Sequence, residues 1–261
     1  MSTPGLDVDV RGEVAHLTLN RPSRLNSLSS DVWAALQERL IEFDEDDSIL
    51  VVVLTGEGDK AFCAGVDLKE VSDTDKSTGG KFEHPMRGRR RNLFEIVLEV
   101  RKPTVASING HAVGAGCELA LACDIRICSE QANLMLPEAK RGMGANFASV
   151  ILPRLLPRAV AFEMLYTGEP MSASEAKHWG LVNRVVSRES LEDETDKFVQ
   201  AIVANAPLTT SRYKHVALKS DGLPMSAALR LDVGPDPYSS EDRIEGVKLF
   251  VEKRAPRWKG R

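Results

Sequence analysis

The run ILVVVLTG (49–56) carries no charged side chain across its length and is too short for an ordinary helix, so it reads as a buried strand. Such a strand needs neighbours and a cover, and the flanking sequence supplies both. VAHLTLN (14–20) reads as a second strand. SDVWAALQERLIEF (30–43) reads as a helix with Val32, Leu36, Leu40 and Phe43 on one face and Ser30 or Asp31 available to cap it. That face packs on the sheet.

The same signals then recur: PTVASING (103–110) as a strand, GCELALAC (116–123) as a short helix, DIRICS (124–129) and ANLMLPE (132–138) as strands. Strands and helices in alternation define an α/β class. Between the two groups, SDTDKSTGGKFEHPMRGRRRN (72–92) is polar and charged and reads as a surface excursion, functional or disordered rather than idle. From about residue 191 the strand signals stop. Helical stretches at 191–206, 208–220, 224–232 and 239–254 follow, separated by AP, DGLP and GPDPYSS. The expected division is an α/β core over 1–190 and a helical region over 191–261.

A chain of 261 residues with 43% hydrophobic and 28% charged side chains can bury a large core without disulfides or metal. Its formal net charge of -4 argues against nucleic acid as the main partner. Cys63, Cys117, Cys123 and Cys128 form no CxxC pair and sit in or beside apolar stretches, as buried thiols in a reducing compartment would. The N-terminus lacks the basic start and apolar core of a signal peptide, and no apolar run reaches membrane-spanning length. A cytoplasmic protein with no membrane partner is the expectation.

Chemistry concentrates in two glycine turns and two acids. GHAVGAG (110–116) follows a strand and opens a helix, but the third glycine of a dinucleotide fingerprint is replaced by Leu119. The turn then serves either close helix–strand packing or the pointing of backbone N–H groups, notably that of Ala115, into a pocket. KAFCAGVDL (60–68) is a second small-residue turn, in which Gly65 can leave the Val66 N–H free to donate. Two such donors can hold an oxyanion. Glu118 interrupts an apolar helix and Glu138 follows Pro137. Each alone could serve the helix dipole or a cap, but together they resemble a pair of acid/base groups tuned by desolvation.

Other chemistries find less support. No GxSxG elbow is present, and His16, His84, His111, His178 and His215 lack metal-ligand spacing. The basic stretch MRGRRR (86–91) is either a phosphate-attracting patch or a solvated face.

RPSRLNSL (21–28), AFCAGVDLKE (61–70), residues 102–138, YTGEPMSASEAKHWGLVNRVV (166–186) and LFVEKRAPRWKGR (249–261) resemble, in order, the enoyl-CoA hydratase or crotonase superfamily. The resemblance implies a crotonase-like spiral of repeated ββα units and a C-terminal helical trimerisation region, in a homotrimer or a hexamer built as a dimer of trimers. It implies acyl-CoA substrates, with coenzyme A part of the substrate, no separate cofactor and no metal. Carried over by position, the backbone N–H groups of Val66 and Ala115 form the oxyanion hole. Glu118 activates water for attack at Cβ, and Glu138 exchanges the proton at Cα. Arg24, Leu25 and Ala64 match coenzyme contacts, and Phe250 and Lys253 match residues reaching the nucleotide from a neighbouring subunit.

The activity implied is enoyl-CoA hydration, with carnitinyl-CoA dehydration or double-bond isomerisation as alternatives within the superfamily. A non-catalytic homologue binding RNA or protein through the Arg cluster is opposed by the presence of both glutamates. The sequence departs from the common hydratase pattern at GMGANFASVILPRL (142–155), where Asn146 and Phe147 replace small residues. LPEAKRG, WGLVNRVVS, SEDRIEG and the ending WKGR are similar to the carnitinyl-CoA dehydratase branch.

Overall fold

The computed structural model describes residues 3–78, 86 and 91–261. Strands β1 (Leu6–Arg11) and β2 (Val14–Leu19) pair antiparallel and lead to helix α1 (Ser30–Glu45). Ser29, the last extended residue, caps α1 by accepting from the Val32 N–H at 3.3 Å, one position ahead of the expected Ser30 or Asp31.

Three strand–strand–helix units follow. The first is β3 (Val51–Gly56), β4 (Ala61–Cys63), α2 (Leu68–Thr78) and α3 (Leu93–Glu99). The second is β5 (Thr104–Ile108), β6 (His111–Val113) and α4 (Ala115–Ala122). The third is β7 (Ile125–Ser129), β8 (Asn133–Met135), a 3-10 turn at Pro137–Arg141, α5 (Ala148–Leu155) and α6 (Arg158–Thr167). Then come β9 (Met171–Ser172), α7 (Ala173–His178) and β10 (Arg184–Val186).

Among the described residues the first strand of each unit enters a six-stranded sheet of order β1-β2-β3-β5-β7-β10, and the second enters a four-stranded sheet of order β4-β6-β8-β9. Successive units lie parallel and side by side, Val52 against Thr104 and Val105 against Ile125 in the large sheet, Ala112 against Leu134 in the small one. The chain therefore winds as a spiral of ββα units.

This layering explains ILVVVLTG. Val52 and Leu54 face the main core with Leu36 and Leu40 of α1, while Val51 and Val53 face the opposite side, where Leu191 and Val199 cover them. A strand buried on both faces has no polar face to show. The covering helix is α8 (Leu191–Val203), followed by α9 (Pro207–Lys219), α10 (Met225–Ala228) and α11 (Glu241–Glu252).

Helix α9 is fastened to the core through a buried cation. Lys214 Nζ, its side chain 7% exposed, donates to Asp124 Oδ2 at 2.8 Å and to the Lys102 carbonyl at 3.2 Å. The same Asp124 oxygen accepts from the Thr104 N–H at 2.8 Å and its hydroxyl at 3.0 Å. The C-terminal tail folds back, with Trp258 Nε1 donating to the Ala204 carbonyl at 2.8 Å.

Several expectations need correction. The stretch 72–92 is not all loop: α2 runs to Thr78, and Asn92 caps α3. The rest of that stretch, including His84 and most of the Arg cluster, lies outside the described residues. Residues 61–63 and 111–113, read as parts of turns, are the short strands β4 and β6. All four cysteines are buried and unpaired, and burial pushes their thiols up, that of Cys63 to about 12. No helix among the described residues is long and apolar enough to cross a membrane.

Lys214→Met leaves Asp124 half-buried without its cation, although Thr104 still bonds to it. The expected loss is about 3 kcal/mol, at the low end for breaking a buried pair, read from the shift in urea midpoint. An unchanged midpoint would show that the pair does not fasten α9.

Candidate active site

Strands β4, β6 and β8 are parallel neighbours, so their carboxyl ends lie together, the usual place for ligands in such sheets. Each end turns sharply away. After β4 come Ala64, Gly65 and Val66; after β6, Gly114 and Ala115; after β8, Leu136, Pro137 and Glu138. One turn from each unit of the spiral thus converges on a common place.

Glycine is required at the first two turns. Gly65 has φ +91°, and a methyl group there would lie 2.8 Å from the Val113 carbonyl oxygen and 3.3 Å from the Ala115 nitrogen. Gly114 has φ +57°, and a methyl group there would lie 2.8 Å from Glu138 Oε1. The two turns therefore touch each other and the Glu138 carboxyl. The flanking amides are spent: Ala64 N–H on the Leu25 carbonyl at 3.0 Å, Asp67 N–H on that of Leu28 at 2.9 Å, Gly114 N–H on that of Met135 at 2.8 Å. Among the described residues the N–H groups of Val66 and Ala115 meet no acceptor. Ala115 also opens α4, where the helix dipole favours negative charge.

All eight residues of α4 are buried, Glu118 among them at 6% exposed. Its Oε1 accepts from the Ala148 N–H at 2.9 Å. Burial pushes the Glu118 carboxyl up to about 7, the Ala148 N–H opposes that shift, and the charge of Glu138 adds to it. Near neutrality the group is divided between acid and carboxylate, the condition for moving a proton either way. Glu138 is half-buried and likewise raised, chiefly by burial, with a hydrogen bond from its own backbone N–H and then Arg141 opposing. Its Oε2 is the one buried side-chain oxygen or nitrogen among the described residues without a hydrogen-bond partner in the protein. Such an atom is costly unless something outside the chain meets it.

The structure thus gathers Val66, Ala115, Glu118 and Glu138. Leu25 joins them through its carbonyl on Ala64, with Arg24 beside it on the exposed 3-10 turn Pro22–Arg24. Phe250 and Lys253 are not joined: Phe250 is 82% exposed on α11, and neither residue bonds to the segments around Arg24 or Ala64 within one chain. His111 pairs with the Asn133 side chain at 3.3 Å, away from both acids' bonds. Among the described residues no three His, Cys, Asp or Glu side chains are placed to share a metal.

Ala148 escapes a reading of the sequence, because an alanine amide carries no side-chain signal. Its role comes from position: α5 starts there, and a first-turn N–H has no partner within its own helix. The departing segment 142–147 delivers this amide while Phe147 packs on Phe94, ring centroids 5.4 Å apart, and Phe94 on Trp33 at 5.3 Å.

The sequence profile of the Enoyl-CoA hydratase/isomerase family matches residues 9–261, and the chain belongs to that family. It is 39% identical over 262 aligned residues to a carnitinyl-CoA dehydratase of Salmonella typhi, covering 96% of each protein. The crystal structure of an enoyl-CoA hydratase from Bacillus anthracis superposes with a TM-score of 0.88 at 34% identity, over 98% of this chain and all of that one. One from Mycobacterium tuberculosis gives 0.88 at 30% identity, over 99% of this chain and 100% of that one. The spiral is the crotonase fold.

The elevated Glu118 carboxyl has a consequence for stability. Its folded pKa of about 7 stands above the ordinary 4.5, so the native state holds an extra proton between those values. The stabilising contribution is complete below about pH 4.5 and is lost as pH rises through 7. Glu118→Gln, always neutral, should therefore match the wild type at about pH 4 and exceed it by about 3 kcal/mol at pH 8. Urea unfolding at the two pH values measures the difference; a constant offset would show that Glu118 is not destabilised by its burial.

Proposed function

We propose that this chain catalyses reversible syn addition of water across the 2,3 double bond of an enoyl-CoA thioester. The observation that carries the reading is the buried, unpartnered Glu138 Oε2 beside two amides that meet no acceptor, with a second elevated carboxyl nearby. The thioester oxygen accepts from the Val66 and Ala115 N–H groups, which stabilise the enolate oxygen that develops as Cβ is attacked. Glu118, as carboxylate, takes a proton from water while the oxygen bonds to Cβ. Glu138, as acid, gives a proton to Cα. The reverse sequence eliminates water, so both groups alternate between acid and base.

A second reading within the family is carnitinyl-CoA dehydration, in which the same groups remove water from a hydroxyacyl thioester bearing a quaternary ammonium group. The 39% identity to a carnitinyl-CoA dehydratase, against 34% and 30% to the two hydratases, favours it. A pure double-bond isomerase is disfavoured, since Glu118 would have no water to activate.

In this proposal Arg24, Leu25 and Ala64 receive the coenzyme, and Phe250 and Lys253 reach a neighbouring subunit's nucleotide in a trimer or hexamer. Ile244, Val247, Phe250 and Val251 along α11 are each at least 60% exposed, which supports burial against another copy. Four buried free thiols support a reducing, cytoplasmic setting.

Glu118→Gln and Glu138→Gln should each lower kcat by about 10²–10⁴-fold with little change in KM. Loss of the conjugated-thioester absorbance of crotonyl-CoA and of its 4-trimethylammonio analogue reads the rate and separates the two substrate readings. Full activity in both variants on both substrates would overturn the mechanism.

A further inference from the structure

The free amide of Val66 depends on a loop lying on its other side. Leu28 and Val66 form a parallel bridge, with the Leu28 N–H on the Gly65 carbonyl at 2.8 Å and the Asp67 N–H on the Leu28 carbonyl at 2.9 Å. In a parallel pair the residue between two such groups turns its own N–H to the opposite side. Val66 is that residue, so the loop 21–28 forces its N–H away from the loop and leaves it free.

The loop is held to this strand at both ends. At the near end the Ala64 N–H donates to the Leu25 carbonyl. At the far end Arg21 Nη2 pairs with Asp67 Oδ2 at 2.9 Å, while Arg21 Nη1 donates to the Ser27 carbonyl at 2.7 Å. Asp67 is 8% exposed, and its Oδ1 also accepts from the Lys69 N–H at 3.2 Å as α2 begins. Inside the loop Asn26 is 1% exposed at φ +55°, its Nδ2 donating to the Ala61 and Glu57 carbonyls at 2.7 and 2.9 Å. The outer side of the same loop presents Arg24 and Leu25, the latter 45% exposed and also left-handed, at φ +50°. One short segment thus shows its outer side to solvent and its inner side to the oxyanion donor.

We propose that Arg21 and Asp67 are positioning residues that couple the nucleotide end of an acyl-CoA to the Val66 N–H. Contact of the nucleotide with Arg24 and Leu25 restrains the loop, and the Arg21–Asp67 ion pair carries that restraint to Val66. Binding energy at an unreactive part of the substrate is thereby spent on transition-state geometry. The inference rests on the acyl-CoA reading above.

The test compares crotonyl-CoA with crotonyl-pantetheine, which lacks the nucleotide, on the full-length wild type, Arg21→Gln, Arg21→Lys and Asp67→Asn. The wild type should show a kcat on the truncated thioester lower by about tenfold or more. Asp67→Asn and Arg21→Gln should lose about tenfold on crotonyl-CoA but under about threefold on crotonyl-pantetheine, so the gap closes, and Arg21→Lys should restore part of it. Asp67→Asn preserves side-chain volume and an acceptor for Lys69, so it remains informative if Arg21→Gln does not fold. Equal losses on both thioesters, no loss on either, or a wild type indifferent to the nucleotide would overturn the coupling. The same pair of 4-trimethylammoniocrotonyl thioesters replaces the crotonyl pair if the wild type turns over only that acyl group, and a wild type silent on both acyl groups would instead strike the acyl-CoA reading, and the coupling with it.

Discussion

The close seat of α4 on β4 is the contact on which the site depends. Gly116 lies so near the Cys63 carbonyl that any side chain there would overlap the strand backbone. Because the helix can approach that far, its first turn comes level with the turn after β4, where Gly65 lies against the Ala115 nitrogen. The same approach buries α4 completely and takes Glu118 out of water. Two amides without acceptors and an elevated carboxyl are thus two results of one packing contact.

That burial has a cost which the remainder of the site offsets only in part. The Ala148 N–H steadies the charged form of Glu118, and Arg141 does the same at longer reach for Glu138. Neither carboxyl is brought back to an ordinary acidity. Perturbed acids at the carboxyl ends of parallel strands, beside amides that meet no acceptor, are an arrangement that folding alone does not favour.

Much of this was legible in the chain because it violated local expectation. Glu118 stands out as a charge inside GCELALAC, and ILVVVLTG announces two-sided burial by having no polar face. The helices α1 and α8 were visible for a different reason, a run long enough to show a helical period. β4 and β6 were not, since three residues are too few to display an alternation and their glycine-rich surroundings imitate turns. Ala148 and the Arg21–Asp67 pair were hidden for another reason: each acts through a partner 30 or more positions away, and only the folded backbone names that partner. The two glycine turns pointed to the Val66 and Ala115 amides, the family resemblance pointed to the same pair, and the geometry explains why they meet no acceptor among the described residues.

Each turn of the spiral contributes a different group: the first and second each present a backbone amide that meets no acceptor among the described residues, and the third presents the Glu138 carboxyl. Such a division makes the scaffold separable by inheritance. Substitutions confined to the third turn and the segment leading into α5 can alter the surroundings of the two acids while Gly65, Gly114 and the two amides stay in place. The 142–147 segment of this chain lies in that stretch and ends at the Ala148 amide that meets Glu118.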